Sequence, residues 1–361
     1  MNNPSPKNEH SLTLETSVSK AFLAQALGIS FDRDYYFDPF LRRQIDARCH
    51  HYAAEQLKDL DAFYTESNLG RKTCFTPNQV LVGGIQPNLI LGMLLGAQFI
   101  PAKQGDADIS PACWAGHAPQ DLPHPRTLLE HPVILLFDSH IRAVQQEKGL
   151  QAIPPFFWDA SGRAAIHGAL TTAQKFLGEN VFMDLLEEPD RVRQTMDWIV
   201  DANIVLVRHF AALCGIKIQC LHVGECSSCM VGPSEWSNFV APTLERLGRE
   251  LGPVRLHSCG PSGHLLAAAR KIAAIASLDL GGETPLAPVR ELFGLDFPVS
   301  IAPPVKLLAG GSLEALMAWT SDVLSANQGG ELVLLYHLEP QYSLPVLRSW
   351  RATLTDKYGF C

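Results

Sequence analysis

Short apolar runs alternate along this chain with longer stretches whose apolar positions recur every three to four residues, most regularly from residue 218 to the C-terminus. A short unbroken run suits a strand buried on both faces, and the three-to-four spacing suits a helix with one apolar stripe. Read this way, strands are expected over 79–83, 133–137, 164–167, 218–223, 254–256, 275–280, 298–301 and 332–335. Helices are expected over 87–95, 141–148, 171–177, from 188 to about Gly215, and over 234–251, 261–272, 285–293 and 312–327, with a last one from Ser343. The helix starts carry ordinary signals, either proline (Pro189, Pro261, Pro285) or a capping serine (Ser234, Ser312, Ser343). Strand followed by helix, repeated close to eight times, implies a parallel sheet. The expected fold is α/β, a TIM-type (β/α)8 barrel occupying 76–361.

The chain ahead of the barrel reads differently. Residues 1–18 are polar, lack the apolar core of a signal peptide, and are expected to be a mobile tail. Residues 19–75 are expected to be a helical extension packed on the barrel, with helices over 19–27 and 40–60. Arg42, Arg43 and Arg48 on the second of these are expected to form a solvated face or a rim over the site. Residues 101–130, crowded with Pro, Gly, Asp and His, form a long connection of the kind that often serves as a lid.

Composition narrows the function classes. At 361 residues, 47% of them hydrophobic, the chain can bury a large core. The formal net charge is -8 and no Lys/Arg run occurs, which argues against nucleic acid as a partner. The most apolar window, 80–100, is interrupted by Gln86, Pro87 and Asn88, so no membrane span is expected. Nine irregularly spaced cysteines do not form a disulfide framework, and a reduced, cytoplasmic setting fits them better.

In such barrels the chemistry sits where strands end and loops begin. The strand over 254–256 runs into His257-Ser-Cys259-Gly260, and side chains two apart on a strand share a face, so His257 and Cys259 point the same way. Imidazole and thiolate are the ligand types zinc favours. The preceding strand ends in Gly224-Glu225-Cys226-Ser-Ser-Cys229, the following one in Asp279-Leu-Gly-Gly-Glu283, and the last in Tyr336-His337-Leu-Glu339. Glu225, directly after an apolar strand, is placed in the barrel mouth. His337 and Glu339 share a face in the same way as His257 and Cys259. The plainer readings stand beside these. Cys226 and Cys229 are by default buried or merely adjacent, though they could be a redox pair or half a zinc site. Asp279 and Glu283 would cap the next helix, and His167 and His222 would be satisfied core histidines.

These blocks resemble the uroporphyrinogen decarboxylase-like superfamily, and within it the zinc-dependent corrinoid methyltransferases. The resemblance rests on Leu256-His-Ser-Cys-Gly260, on Gly168-Ala-Leu-Thr-Thr-Ala173 with 177–184 and Glu188-Pro-Asp190, and on Gly224-Glu225 ahead of Pro233-Ser-Glu-Trp236. It implies that His257 and Cys259 bind zinc, and that a methylcobamide cofactor is carried by a separate corrinoid protein that docks over the barrel top. No Asp-x-His-x-x-Gly motif of a cobalamin domain occurs in the chain itself. In that family the third ligand is usually a cysteine at the end of the last strand. Here 336–340 read Tyr-His-Leu-Glu-Pro, so Glu339 is the first candidate and His337 the second, with Cys226 and Cys229 the other possibilities. The Arg-Gln-Ala-Gly-Arg segment of true uroporphyrinogen decarboxylases is absent.

The implied activity is zinc-dependent methyl transfer between a corrinoid protein and a small-molecule methyl donor or acceptor. Glu225 and His337 are the candidate catalytic side chains, and His257, Cys259 and Glu339 the candidate metal ligands. Two alternatives use the same barrel. One is a cofactor-independent decarboxylase or lyase with Glu225 and His337 as acid and base. The other is a non-catalytic metal- or tetrapyrrole-binding barrel.

Overall fold

The computed structural model describes residues 12–65 and 72–360. Eight strands, all parallel, form one sheet. Their order across it is Ala62–Tyr64, Leu12–Val18, Leu332–Leu338, Val299–Ile301, Ile275–Leu280, Val254–Ser258, Cys220–Gly224 and Arg163–His167. Gln79–Leu81 and Gln151–Ile153 make a separate parallel pair. Helices connect successive strands and cover the sheet, giving the α/β architecture of a TIM-type barrel. The long helix Pro189–Cys214 starts on a proline and ends where Gly215 takes a left-handed φ of 64°. Both are the termini its sequence signals.

Alternation along the strands separates the two faces of the sheet. Leu256, Leu278 and Leu280 gather with Trp236, Leu265 and Leu266 of the outer elements. Tyr336 packs on Trp350 of the last helix, Leu344–Tyr358, with ring centroids 5.8 Å apart. The opposite face, toward the barrel interior, is unusually polar. Register aligns Ala165, His222, Arg255 and Ser277 in one row, and His167, Gly224, His257 and Asp279 in the next row up.

Four expectations need correction. The barrel does not begin at residue 76, and 19–75 is not a purely helical extension, since Leu12–Val18 and Ala62–Tyr64 are strands of the barrel sheet. Residues 12–18 are not a tail, and residues 1–11 of that expectation lie outside the described residues. Leu12–Val18 is an interior strand, flanked by the last strand and by Ala62–Tyr64. Its sequence, Leu-Thr-Leu-Glu-Thr-Ser-Val, alternates weakly and reads as polar until its neighbours supply the ladder. Residues 133–137 are not a strand but part of the helix Pro132–Gln146. Pro132 opens that helix, and Ile134, Phe137, Ile141 and Val144 form one fully buried stripe at helical spacing. The contiguous run Val-Ile-Leu-Leu-Phe hides this period, since Leu135 and Leu136 lie exposed. Arg42 is not solvated. It is wholly buried, donates to Asp46 at 3.2 Å and to the Gly83 carbonyl at 2.8 Å, and lies over the Tyr35 ring. Arg43 and Arg48 are exposed.

Candidate metal centre

Cys226, His257 and Cys259 converge at the C-terminal ends of two adjacent strands. Their ligand atoms all lie within 4.8 Å of one another. His257 is the fourth residue of Val254–Ser258 and Cys259 follows that strand. Cys226 opens the 3-10 turn Cys226–Met230 after Cys220–Gly224. The strands are held together at this level by the Glu225 amide, which donates to the His257 carbonyl at 2.8 Å. Two close approaches keep the turn beyond Cys259 tight. A side chain at Gly260 would meet Cys229 Sγ at 2.6 Å, and one at Gly281 would run into the Cys259 carbonyl. Cys226 and His257 are half-buried and Cys259 is exposed, so the cluster opens toward solvent.

Beneath the cluster lies a chain of charged groups. His257 Nδ1 is 2.8 Å from Asp279 Oδ2, and the same oxygen is 2.8 Å from Arg255 Nη1. Arg255 Nη1 also lies 2.8 Å from His222 Nδ1. Arg255, Asp279 and His222 are all buried. Burial works against ionised Asp279, but Arg255 and then His257 overcome it and hold the carboxyl far below its usual range. Burial likewise opposes the imidazolium of His257, and Asp279 outweighs it, raising that group to about 9. Hydrogen bonding from Cys226, then from His257, draws Cys259 down to about 4, while Cys226 itself is pushed up by its bond to Cys259 and by burial. His222 is driven well down by burial and by Arg255, which keeps it neutral.

The donors present suit zinc. Two thiols and one imidazole from the protein leave a fourth position for a substrate. Metal-bound imidazoles ordinarily donate their other nitrogen to a carboxylate, and Asp279 is placed to accept such a bond from His257 Nδ1.

The remaining candidates lie elsewhere. Glu339 and His337 are not members of the cluster. Their strand is separated from Val254–Ser258 by two others, so they sit three strand spacings, each about 4.8 Å, around the rim. They are engaged instead by the first strand and the residue after it. Ser19 Oγ donates to Glu339 at 2.9 Å, and Ser17 Oγ lies 2.8 Å from His337 Nδ1. Burial holds His337 down at about 4 and raises the Glu339 carboxyl. Glu225 is fully buried, and its carboxylate accepts from the Thr171 amide at 2.7 Å and the Thr171 hydroxyl at 2.8 Å, at the start of the helix Ala169–Leu177. Burial raises it to about 7 against those hydrogen bonds. Glu283 is exposed and pairs with Lys306 at 3.8 Å. Arg255 and the charge-pairing part of Asp279 were missed in the sequence. The available signal was Arg255 itself, an arginine inside an otherwise apolar strand and two residues from His257.

No protein-family model and no curated protein sequence matches the chain. Among solved structures, a methyltransferase from Methanosarcina mazei is similar over 98% of this chain and 95% of its own length, with a TM-score of 0.63 at 13% identity. At that identity the likeness speaks to the fold. A 3-keto-D-glucoside 4-epimerase from E. coli aligns over 62% of this chain and 86% of its own at 15% identity, but its TM-score of 0.32 carries no argument. Among the described residues no helix is long and apolar enough to cross a membrane.

Proposed function

We propose that this chain is a zinc-dependent methyltransferase that moves a methyl group between a corrinoid protein and a small thiol. The observation that carries the proposal is the convergence of Cys226, His257 and Cys259 within 4.8 Å at the open end of the barrel. The whole-length likeness in fold to a methanogen methyltransferase supports it. Zinc bound there supplies a Lewis acid that lowers the pKa of a substrate thiol and presents it as a thiolate.

The protein's own residues do the rest. Asp279 orients His257 through Nδ1, leaving Nε2 to face the cluster. A second cysteine in place of the carboxylate Glu339 makes the donor set more electron-rich, which favours a nucleophilic thiolate over the polarisation of an ether or amine. The exposed side of the cluster leaves room for a methyl carrier too large to enter the barrel. In the direction of thiol methylation, Cys226, His257 and Cys259 would hold the zinc with its open position, and the substrate sulfur, toward the docked carrier. The carrier would supply the methyl group and keep the electron pair of the bond it gives up, while the thiol proton passes to solvent.

The test is anaerobic incubation of the zinc-loaded protein with methylcobalamin and a panel of small thiols, following loss of the methylcobalamin spectrum. Turnover that depends on both zinc and Cys259 is the expected result. Zinc-loaded wild type that is no faster than C259A with every thiol would overturn the proposal.

A further inference from the structure

We infer that Arg255 is a positioning residue for the metal centre, fixing the ligating form of His257 through Asp279. The inference rests on the Cys226, His257 and Cys259 metal reading above, but not on methyl transfer.

Donor and acceptor chemistry forces the proton positions. An arginine can only donate, so His222 Nδ1, 2.8 Å from Arg255 Nη1, must be the acceptor in that pair and carries no proton. An ionised carboxylate can only accept, so His257 Nδ1, 2.8 Å from Asp279 Oδ2, must donate. The remaining nitrogen of His257, Nε2, is then the one available to a metal. Asp279 Oδ2 receives both Arg255 and His257, so one oxygen links the guanidinium to the ligand ring. Arg255 is itself fixed from the other side, with its Cζ 5.7 Å from the centroid of the Trp158 ring, which also packs on His222.

The charge count explains why an arginine is needed. Asp279 is 2% exposed, and a carboxylate that deep stays ionised only beside a compensating cation. The Arg255 guanidinium supplies that cation at the same oxygen that faces His257 Nδ1, so it holds the carboxylate where it accepts from the ring. Arg255 thus fixes the orientation of His257 without touching the metal.

The experiment measures zinc affinity by competition with a chromophoric chelator, together with the visible spectrum of the cobalt(II)-substituted protein. Removal of an outer hydrogen-bond partner of a metal ligand typically weakens metal binding by about 10- to 100-fold. Arg255→Met should weaken zinc by about that factor and shift the cobalt band, while Arg255→Lys, which keeps the cation, should recover most of both. Because Arg255 acts through Asp279, Arg255→Met added to Asp279→Asn should bind zinc no more weakly than Asp279→Asn alone. This comparison also holds if Arg255→Met fails to fold, since the double variant leaves no uncompensated buried carboxylate. A folded Arg255→Met with wild-type zinc affinity, or a double variant about tenfold weaker than Asp279→Asn, would overturn the inference while leaving the metal site standing. Wild-type protein that holds no zinc would overturn both.

Discussion

Ser17 and His337 stand 320 positions apart in the chain and meet at 2.8 Å, side chain to side chain, on neighbouring strands. The pairing is one rung of a seven-residue parallel ladder that joins the first strand of the sheet to the last, from Leu12 with Leu332 to Val18 with Leu338. It takes His337 and Glu339 into the seam between the first and last strands, outside the cluster of Cys226, His257 and Cys259.

The ligand assignment separates these two groups of residues. Ala replacements of Cys226, His257 or Cys259 should each lower zinc content well below one per chain. Glu339→Ala and Cys229→Ser should leave it near wild type. Elemental analysis of purified, folded protein decides this, and loss of zinc in Glu339→Ala with retention in Cys226→Ala would reverse the assignment.

The first strand predicts a folding defect. It is hydrogen-bonded on both sides, so deleting residues 1–18 leaves Leu332–Leu338 and Ala62–Tyr64 with unpaired interior edges. Such a truncation should be insoluble or lack cooperative thermal unfolding. A truncated chain with the wild-type melting temperature would show that the strand is dispensable.

Glu225 and Gly168 predict a local stability effect. Glu225→Ala strips the acceptor from the half-buried Thr171 amide and hydroxyl, leaving those donors unsatisfied. A loss of about 1–3 kcal/mol per such group is typical. Gly168→Ala should also destabilise, because a Cβ there would collide with the Glu225 carboxylate. Chemical denaturation measures both, and Glu225→Ala as stable as wild type would refute the capping role.

Asp159 predicts part of the acid limb of stability. Burial opposes its ionised form, but Arg163, Ser161 and the Cys74 amide bring it down to about 2 from 3.8. A carboxylate lowered on folding contributes stability that is full above the unfolded pKa and is lost as pH falls through the folded one. Asp159→Asn should therefore remove at most about 2.5 kcal/mol at neutral pH, at 1.36 kcal/mol per pKa unit. The gap to wild type should close between about pH 4 and pH 2. A gap of constant size down to pH 2 would assign the effect to packing instead.

Much of this molecule was legible in the sequence. Strand and helix periods from residue 218 onward gave the parallel α/β architecture, because strands buried on both faces leave unbroken apolar runs and proline and serine mark the helix starts. His257 and Cys259 could be paired because strand alternation is local geometry. What failed locally failed for identifiable reasons. Leu12–Val18 depends on two partner strands, one of them 320 residues away, and 133–137 hid a helical stripe behind two exposed leucines. The third member of the cluster was a different kind of question. Glu339 and Cys226 both follow strands that end in the same mouth, and only the order of strands across the sheet separates them. That order sets Cys220–Gly224 directly beside Val254–Ser258 and puts two strands between it and Leu332–Leu338. Strand order is the outcome of packing the whole chain, and no window of residues contains it. The same holds for Arg255 and Asp279, which are 24 positions apart and become an ion pair only when their strands lie side by side.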